Sequence, residues 1–388
     1  MAANTLTGLI PVIYEAATQV FREMTGLIMA VSRDATAAGA AYGQTVRSPI
    51  VPSITPQPIV YGVAPADEGE QTVSYTDMTL NKAYQAPVKW NGEEEVSLGA
   101  MKDKIVQDQF SEAFRALVNL VEADLAALYY KACRAYGTQG VTPFASTFAD
   151  VTAQLRKILD DNGVPDADRH LVIDSAAGAN LRSLPGLTSF YAANTEATLR
   201  RGELLPLNGF AVRESAAIKY HTAGTAGVGM DCTAIEPIGE TTIAVDGADL
   251  GTVLAGDIMR NTTKVGAGTD MNKYVIQSAT VSGAAAGNIV IQKPGLLVAT
   301  AINDEIETGA SYRANMAFHR RAIHMAARPP IMPAGGDSAA DVTVVTDPIT
   351  GLAIQVAMYR LHRMVKFEIG LVWGAEVMNP QSLALLLG

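Results

Sequence analysis

The chain has 388 residues, 48% of them hydrophobic but only 6% aromatic, and a formal charge of −10 from 29 basic and 39 acidic side chains. Such a length suggests two or three domains with cores built mostly of Ala, Val, Leu, Ile and Met, and the acidic balance argues against strong general affinity for nucleic acid, which needs a basic footprint. No apolar run approaches the roughly 18 residues that span a bilayer; the first charge is Glu15, so no basic leader is expected; and Cys133 and Cys232 match no metal spacing and read as free thiols of a reducing compartment.

Ile10, Ile13, Tyr14, Ala17, Phe21, Met24 and Ile28 recur at helical spacing, with Pro11 suited to a first turn. This predicts a helix ending near Arg33-Asp34, which serves either as core or as an arm reaching a neighbour. From Gln44 to Leu98 helical periodicity is absent, and Pro49, Pro52, Pro56, Pro58, Pro65 and Pro87 punctuate the run. A structureless loop of that length is uncommon in a compact domain. The segment reads as an extended β arm, with Ile59–Tyr61, Thr72–Tyr75 and Ala86–Trp90 strand-like and Gly62, Gly69 and Gly92 at turns. A two-stranded arm is marginal alone in water, so another copy of the chain is its natural support. Asp67, Glu68 and Glu70 cluster near the expected tip, where a basic patch on a neighbour could receive them. The plainer alternative is the solubility of an exposed turn.

A sustained amphipathic stretch from about Gly99 to Arg134 follows, with Val106, Phe110, Phe114, Leu117, Val121, Leu125, Leu128 and Tyr129 as its stripe. Roughly 36 residues at about 1.5 Å each would make a spine of about 54 Å, stopped by Gly137 and Gly140. Next come a helix over Phe148–Asp161 with Gly163 as its stop, a buried strand over His170–Ile173, and a helix over Ala176–Ser183 capped by Ser175. A turn at Pro185-Gly186 and a strand over Phe210–Arg213 complete a mixed α/β layer. The composition then shifts. Thr222–Met316 holds no Phe or Trp, and ten acidic residues against five basic. Short strand candidates recur there at Thr241–Val245, Tyr274–Thr280, Asn288–Ile291 and Leu296–Ala301. This predicts a small all-β domain on the outer surface, inserted so that its two ends lie close together. Arg328–Asp337 reads as a linker, and strands follow at Val342–Val345, Leu352–Arg360 and Val365–Trp373.

The chemistry-bearing residues form no active constellation. His319 and His324 are five apart, whereas a helical zinc pair wants four. Gly224, Gly227 and Gly229 fail the dinucleotide pattern, and Glu93–Glu95 and Asp304, Glu305 and Glu307 lack the alternating loop of a calcium site. No Gly-x-Ser-x-Gly elbow occurs. Catalytic residues, cofactor and metal are therefore all assigned as none, and the chain is read as not an enzyme. Arg200-Arg201 and Arg320-Arg321 are too small for an extended nucleic-acid groove, and Arg320 and Arg321 are instead candidate local contacts in assembly.

Several runs resemble a known family. Asn4–Pro11 with Tyr14-Glu15-Ala16, Ala317–Ile323 leading to Arg328-Pro329, Pro348–Leu352, Met358–Arg360 and Val372–Gly374 with Pro380 are together similar to tailed-bacteriophage major capsid proteins, of the type found in short-tailed Salmonella phages. The resemblance implies an α+β fold: an N-terminal arm over 1–44, an extended loop over 45–98, a peripheral domain with a spine helix over 99–147, an axial domain beginning over 148–221, an inserted β domain over 222–316, and return strands over 317–388. It further implies hexamers and pentamers in an icosahedral shell, a scaffolding protein, a portal protein, enclosed double-stranded DNA held with weak direct binding, no membrane, and a virion location after assembly in host cytoplasm. A nanocompartment shell and an α/β enzyme with a β accessory domain remain the alternatives.

Overall fold

A computed structural model describes residues 25–35, 38–50, 74–98, 102–188, 204–227, 229–247, 251–265, 272–281, 286–333, 335–347 and 350–388. It is a mixed structure of helices and sheets. A short helix, Gly26–Ala30, leads into β1, Ser32–Ala35. Arg33 and Asp34 therefore lie in a strand; the predicted helix over residues 10–24 lies outside the described residues. β2, Thr45–Ile50, and β3, Ser74–Thr79, form a two-stranded antiparallel ladder running from Thr45↔Thr79 to Ile50↔Ser74. The middle of the predicted arm, 51–73, lies outside the described residues, Asp67, Glu68 and Glu70 included.

β4, Lys82–Asn91, corrects the arm's far boundary. Instead of standing in the arm, it pairs along its whole length with β19, Met364–Val377, from Lys82↔Trp373 to Asn91↔Met364. Among the described residues β19 is its one partner, an edge position that accommodates Pro87. Gly92 begins a helix, Gly92–Leu98, rather than a turn. Asn91 and Glu94 exchange backbone and side-chain bonds at 2.7 and 3.0 Å, a capping box.

The long helix spans Lys102–Ala126, about 37 Å at 1.5 Å per residue. It is shorter than predicted: a 3-10 turn, Ala127–Lys131, unwinds its end, and Arg134 already belongs to β5, Arg134–Gly137. Val106, Phe110, Phe114, Leu117, Val121 and Leu125 are all buried. Phe110 meets Phe367 of β19 edge to face at 5.2 Å, and Asp124 accepts from Trp373 Nε1 at 3.0 Å. Ala149–Asp161 is a helix whose chain reverses at Gly163, with φ of +70°. β6, Arg169–Ile173, precedes the helix Ser175–Ser183, whose N-cap is Asp174 rather than Ser175; its carboxylate accepts from the Ala177 amide at 3.1 Å. Pro185–Thr188 is a single helical turn, and β7, Phe210–Glu214, and β8, Tyr220–His221, follow.

Six short strands then close into an antiparallel ring: β9 Met230–Cys232, β10 Thr242–Asp246, β11 Ile258–Asn261, β12 Lys273–Ala279, β13 Gly287–Ile291 and β14 Glu305–Thr308. Around it the order is β11-β14-β9-β10-β13-β12, and β12 returns to β11. Closure removes the exposed edges that a small open sheet would present. Met230, Ile243, Tyr274, Ile276, Ile289 and Ile306 fill the barrel with other small aliphatics and no Phe or Trp. Leu296–Ala301 is not a strand; its backbone answers the loop at Glu236–Glu240 through irregular bonds such as Thr300 N to Glu236 O at 3.1 Å.

β15, Tyr312–His319, is one continuous strand, so the predicted boundary at Met316 cuts through it and the barrel segment ends before Tyr312. Its start pairs with β8, Tyr312↔His221 and Arg313↔Tyr220, which brings the two ends of the barrel segment together. His319 and His324 lie on strands and not on a helix: β16 is Ile323–Arg328. β17, Ala339–Thr346, β18, Ala353–Leu361, and β19 form the sheet against the long helix. β20, Leu383–Leu387, is central to the other sheet, in the order β5-β20-β15-β6-β7, parallel to β5 and antiparallel to β15. All five of its residues are buried. Leu383, Leu385 and Leu387 enter the core with the long helix, and Ala384 and Leu386 enter the core under Leu155, Leu159 and Leu181. A strand covered on both faces carries a continuous apolar run for that reason. The barrel joins this sheet through Lys273↔Ala135 and Tyr274↔Arg134.

Candidate assembly surface

Among the described residues the β2–β3 ladder has two strands. Met78 and Leu80 root it on Ala326 and Val372. Gly374 is required there, since a Cβ would stand 2.2 Å from the Thr79 carbonyl oxygen. Beyond the root its side chains face outward: Tyr75 is 57% exposed, and Arg47 binds Asp77 through two bonds at 2.8 and 3.2 Å while covering the Tyr75 ring at 5.4 Å. Such exposed contacts, screened by water and salt, add little to the isolated chain.

Further exposed apolar groups gather in two other places. Leu361 and Met364, at the β18–β19 turn, border an open concavity of about 730 Å³ that Trp90, Glu93, Arg360 and Arg363 also line. On the barrel, Ile235, Ile238 and Ile302 are each more than half exposed, and the loops that carry them are joined by Glu236 N to Thr300 Oγ1 at 3.1 Å. Exposed apolar groups gathered in patches, unlike single ones, mark contact surfaces. None of these places pairs a nucleophile with a base. Among the described residues no three His, Cys, Asp or Glu side chains gather to hold a metal, and no helix is long and apolar enough to cross a membrane.

Arg320 and Arg321 occupy a 3-10 turn, Arg320–Ala322, between β15 and β16. The Arg321 amide donates to His319 Nδ1 at 3.2 Å and the Arg320 amide to the Asp168 carbonyl at 3.1 Å. The Arg321 side chain is exposed and that of Arg320 half-buried. They point to different surroundings, so the structure does not bring them together as one patch. Cys133 lies past the end of the long helix and is buried, and burial pushes its thiol up.

Two buried polar clusters escape sequence reasoning. Glu122, on the apolar side of the long helix, accepts from the amides of Leu27 and Ile28 at 2.7 and 2.9 Å and from the Ser215 hydroxyl at 2.7 Å. It ties the Gly26–Ala30 helix to the long one. At the barrel's junction with the body, His221 lies between Asp257 Oδ1, 2.7 Å from Nε2, and the Tyr129 hydroxyl, 2.8 Å from Nδ1. Asp257 also accepts from the Leu254 and Gly224 amides at 2.7 and 3.1 Å, and the Tyr312 hydroxyl donates to the Gly256 carbonyl at 2.5 Å. Burial, then the Asp257 charge, raises Tyr129, so its hydroxyl stays protonated and able to donate. The one early signal for Glu122 is an acidic residue beside Val118, Val121 and Leu125 in the apolar stripe.

No family model matches the chain, and no curated protein matches it. Among solved structures it is similar to one from Mycobacterium phage Che8, at 14% identity and a TM-score of 0.45, covering 89% of this chain and 84% of that one. It is similar to the capsid structure of the cyanophage P-SCSP1u at 11% identity and a TM-score of 0.47, covering 92% and 86%. It is also similar to a virus-like particle from Pyrococcus furiosus at 9% identity and a TM-score of 0.42, covering 97% and 99%. At such identities, function has to come from the chain's own residues.

Proposed function

We propose that the chain is a shell-forming subunit, the major capsid protein of a tailed bacteriophage, which assembles as hexamers and pentamers into an icosahedral shell around double-stranded DNA. The observation that carries the reading is the β2–β3 ladder: an outward-facing, two-stranded element rooted on a body whose sheet lies against a long helix. A ladder of two strands gains stability when a further surface covers it, and closed repetition of one interface supplies that surface on every copy. The resemblance of the sequence runs to phage coat proteins supports the same reading.

In this reading residues 1–44 and 45–81 are arm and extended loop, β4 and the long helix belong to the peripheral part, β5–β8 with β15 and β20 to the axial part, and β9–β14 to an insertion facing outward. A scaffolding protein sets shell size and a portal occupies one vertex. Confinement holds the DNA, because a net charge of −10 opposes strong phosphate binding spread over the chain. Electron microscopy of the purified protein, with and without scaffold, should show closed shells. Dimers or tetramers under every salt condition would overturn the proposal.

Asp67, Glu68 and Glu70 are proposed as contacts to a neighbour, with Arg321 as an exposed candidate partner. Joint reversal, Asp67→Lys with Glu68→Lys, should slow assembly or shift its salt dependence, read by light scattering across a salt series. Identical curves for variant and wild type would remove these residues from the interface.

A further inference from the structure

Near the start of β6, Arg213 and Arg320 lie close enough to act on the His170 imidazole, and Arg33 close enough to feel both guanidinium groups, with Asp168 and Asp347 as the nearby acids. The parallel register sets His170 beside Ala211 and Val172 beside Arg213. Laterally paired residues share a face of a sheet and alternate residues along a strand do too, so His170 and Arg213 occupy one face, that of Val172, Met316 and Phe318. The Phe318 ring is 6.2 Å from His170. Arg213 reaches the Met29 sulfur at 3.5 Å, which places the Gly26–Ala30 helix and β1 alongside. From β1, Arg33 donates to the Thr350 carbonyl. The turn after β15 brings Arg320, its amide fixed on Asp168.

Among the described residues, none of these three guanidinium groups has a carboxylate within ion-pair distance. Arg33 is held below its ordinary value by burial and then by Arg320, with Asp347 opposing and Arg213 adding. Burial, then Arg213 and Arg320, pushes His170 down to about 4, with Asp168 opposing and His319 adding. His170 is 6% exposed and neither of its ring nitrogens has a hydrogen-bond partner. Arg213 Nε is likewise buried and unpartnered. The neutral imidazole leaves one N–H and one lone pair unmet, and the Arg213 Nε–H is a second buried donor on the same face, so two donors there call for an acceptor.

We infer that this recess is an oxyanion site that receives a side-chain carboxylate from another copy of the chain. A guanidinium fork matches a carboxylate through two parallel bonds, and a protonated His170 would add a donor. The arginines are half-buried with the imidazole deeper still. A DNA backbone is instead met by cations spread along a surface. The chain carries 39 acidic against 29 basic residues, so every copy has carboxylates to spare. The site stands on its own geometry; only the source of the carboxylate rests on the shell reading.

The test uses the full-length, unassembled chain with ¹³C-labelled histidine, followed by NMR. Succinate should move the His170 resonance saturably and raise its titration midpoint by about one unit or more. Arg33→Gln and Arg213→Gln should each weaken succinate binding about tenfold with the amide spectrum otherwise preserved. If Arg213→Gln fails to fold, Arg33→Gln and the wild-type titration decide. In assembled particles His170 should show the raised midpoint without added anion. No saturable response to succinate overturns the site, whether or not shells form. A short DNA duplex acting at lower concentration than succinate makes phosphate the occupant and overturns the carboxylate. A midpoint unmoved on assembly overturns the neighbouring copy as its source.

Discussion

Asp257→Ala is expected to loosen the barrel from the body and to lower stability by about 4 kcal/mol, because three donors lose a buried acceptor at roughly 1–3 kcal/mol each, less partial relaxation. Asp257 is 1% exposed and answers three donors, the Leu254 and Gly224 amides and His221. Alanine leaves all three without an acceptor in a place that water does not reach. His221 then loses the group that holds its Nε2 proton, and the Tyr129 hydroxyl loses a ring fixed to receive it. Nor can the backbone shift easily to compensate. Gly256 has φ of +99°, and even a Cβ there would stand 2.8 Å from the Tyr129 ring and 3.0 Å from His221. Asp257→Asn keeps one acceptor oxygen and should cost less, about 1–3 kcal/mol. Tyr129→Phe removes a single bond and should cost about 0.5–1.5 kcal/mol. Urea unfolding gives the order Ala, Asn, Phe. Amide exchange adds the location: Tyr274 and Val275, which lie where β12 meets β5, should lose protection in Asp257→Ala before the barrel interior does. An Asp257→Ala midpoint equal to that of wild type would show that the cluster does not hold the junction.

How much of this was legible in the sequence depends on whether a residue's partners are near in the chain. The long helix is written locally: its stripe recurs every three or four residues, and Glu112 and Arg115 sit on its solvent side. Its end is not, because the same stripe continues through Leu128 and Tyr129 while the backbone tightens into a 3-10 turn. β4 reads as part of the arm because its proline and short apolar runs fit any edge strand, and nothing local shows that β19 will pair with it. β9, β11 and β14 are three or four residues long and half polar, so a ring that closes through them is visible only once all six strands are placed. β20 announces burial through its leucines but not that it will be the centre of a sheet. Glu122 and Asp257 are silent for the same reason. A carboxylate is buried at a tolerable cost only when several donors meet it, and those donors come from Leu27, Ser215, Leu254 and Gly224, which one-dimensional periodicity cannot bring together.

Glu122→Ala should release the Gly26–Ala30 helix from the long helix, and with it the point where residues 1–24 join the body. Glu122 accepts from the Leu27 and Ile28 amides and from the Ser215 hydroxyl, so alanine orphans three buried donors. At roughly 1–3 kcal/mol apiece, reduced by partial relaxation, the loss is on the order of 4 kcal/mol. Glu122→Gln retains one acceptor oxygen but turns an amide N–H₂ toward other donors, and should fall between the two. The pH dependence separates charge from shape. Burial is the larger cause and holds the Glu122 carboxyl above its usual range, while the bonds from Leu27, Ser215, Ile28 and Gly26 pull it partly back. A folded value above the unfolded one means that the folded chain binds more protons between the two. The contribution is therefore full below the unfolded value and falls as pH rises through the folded one. Against Glu122→Gln, which does not titrate, wild type should lose relative stability across that window and then level off. Urea midpoints measured in a pH series supply the comparison, and amide exchange at Leu27 and Ile28 supplies the site. If those two amides stay protected in Glu122→Ala, the carboxylate is not what fastens this segment, and the packing of Leu27 and Ile28 against the long helix is sufficient by itself.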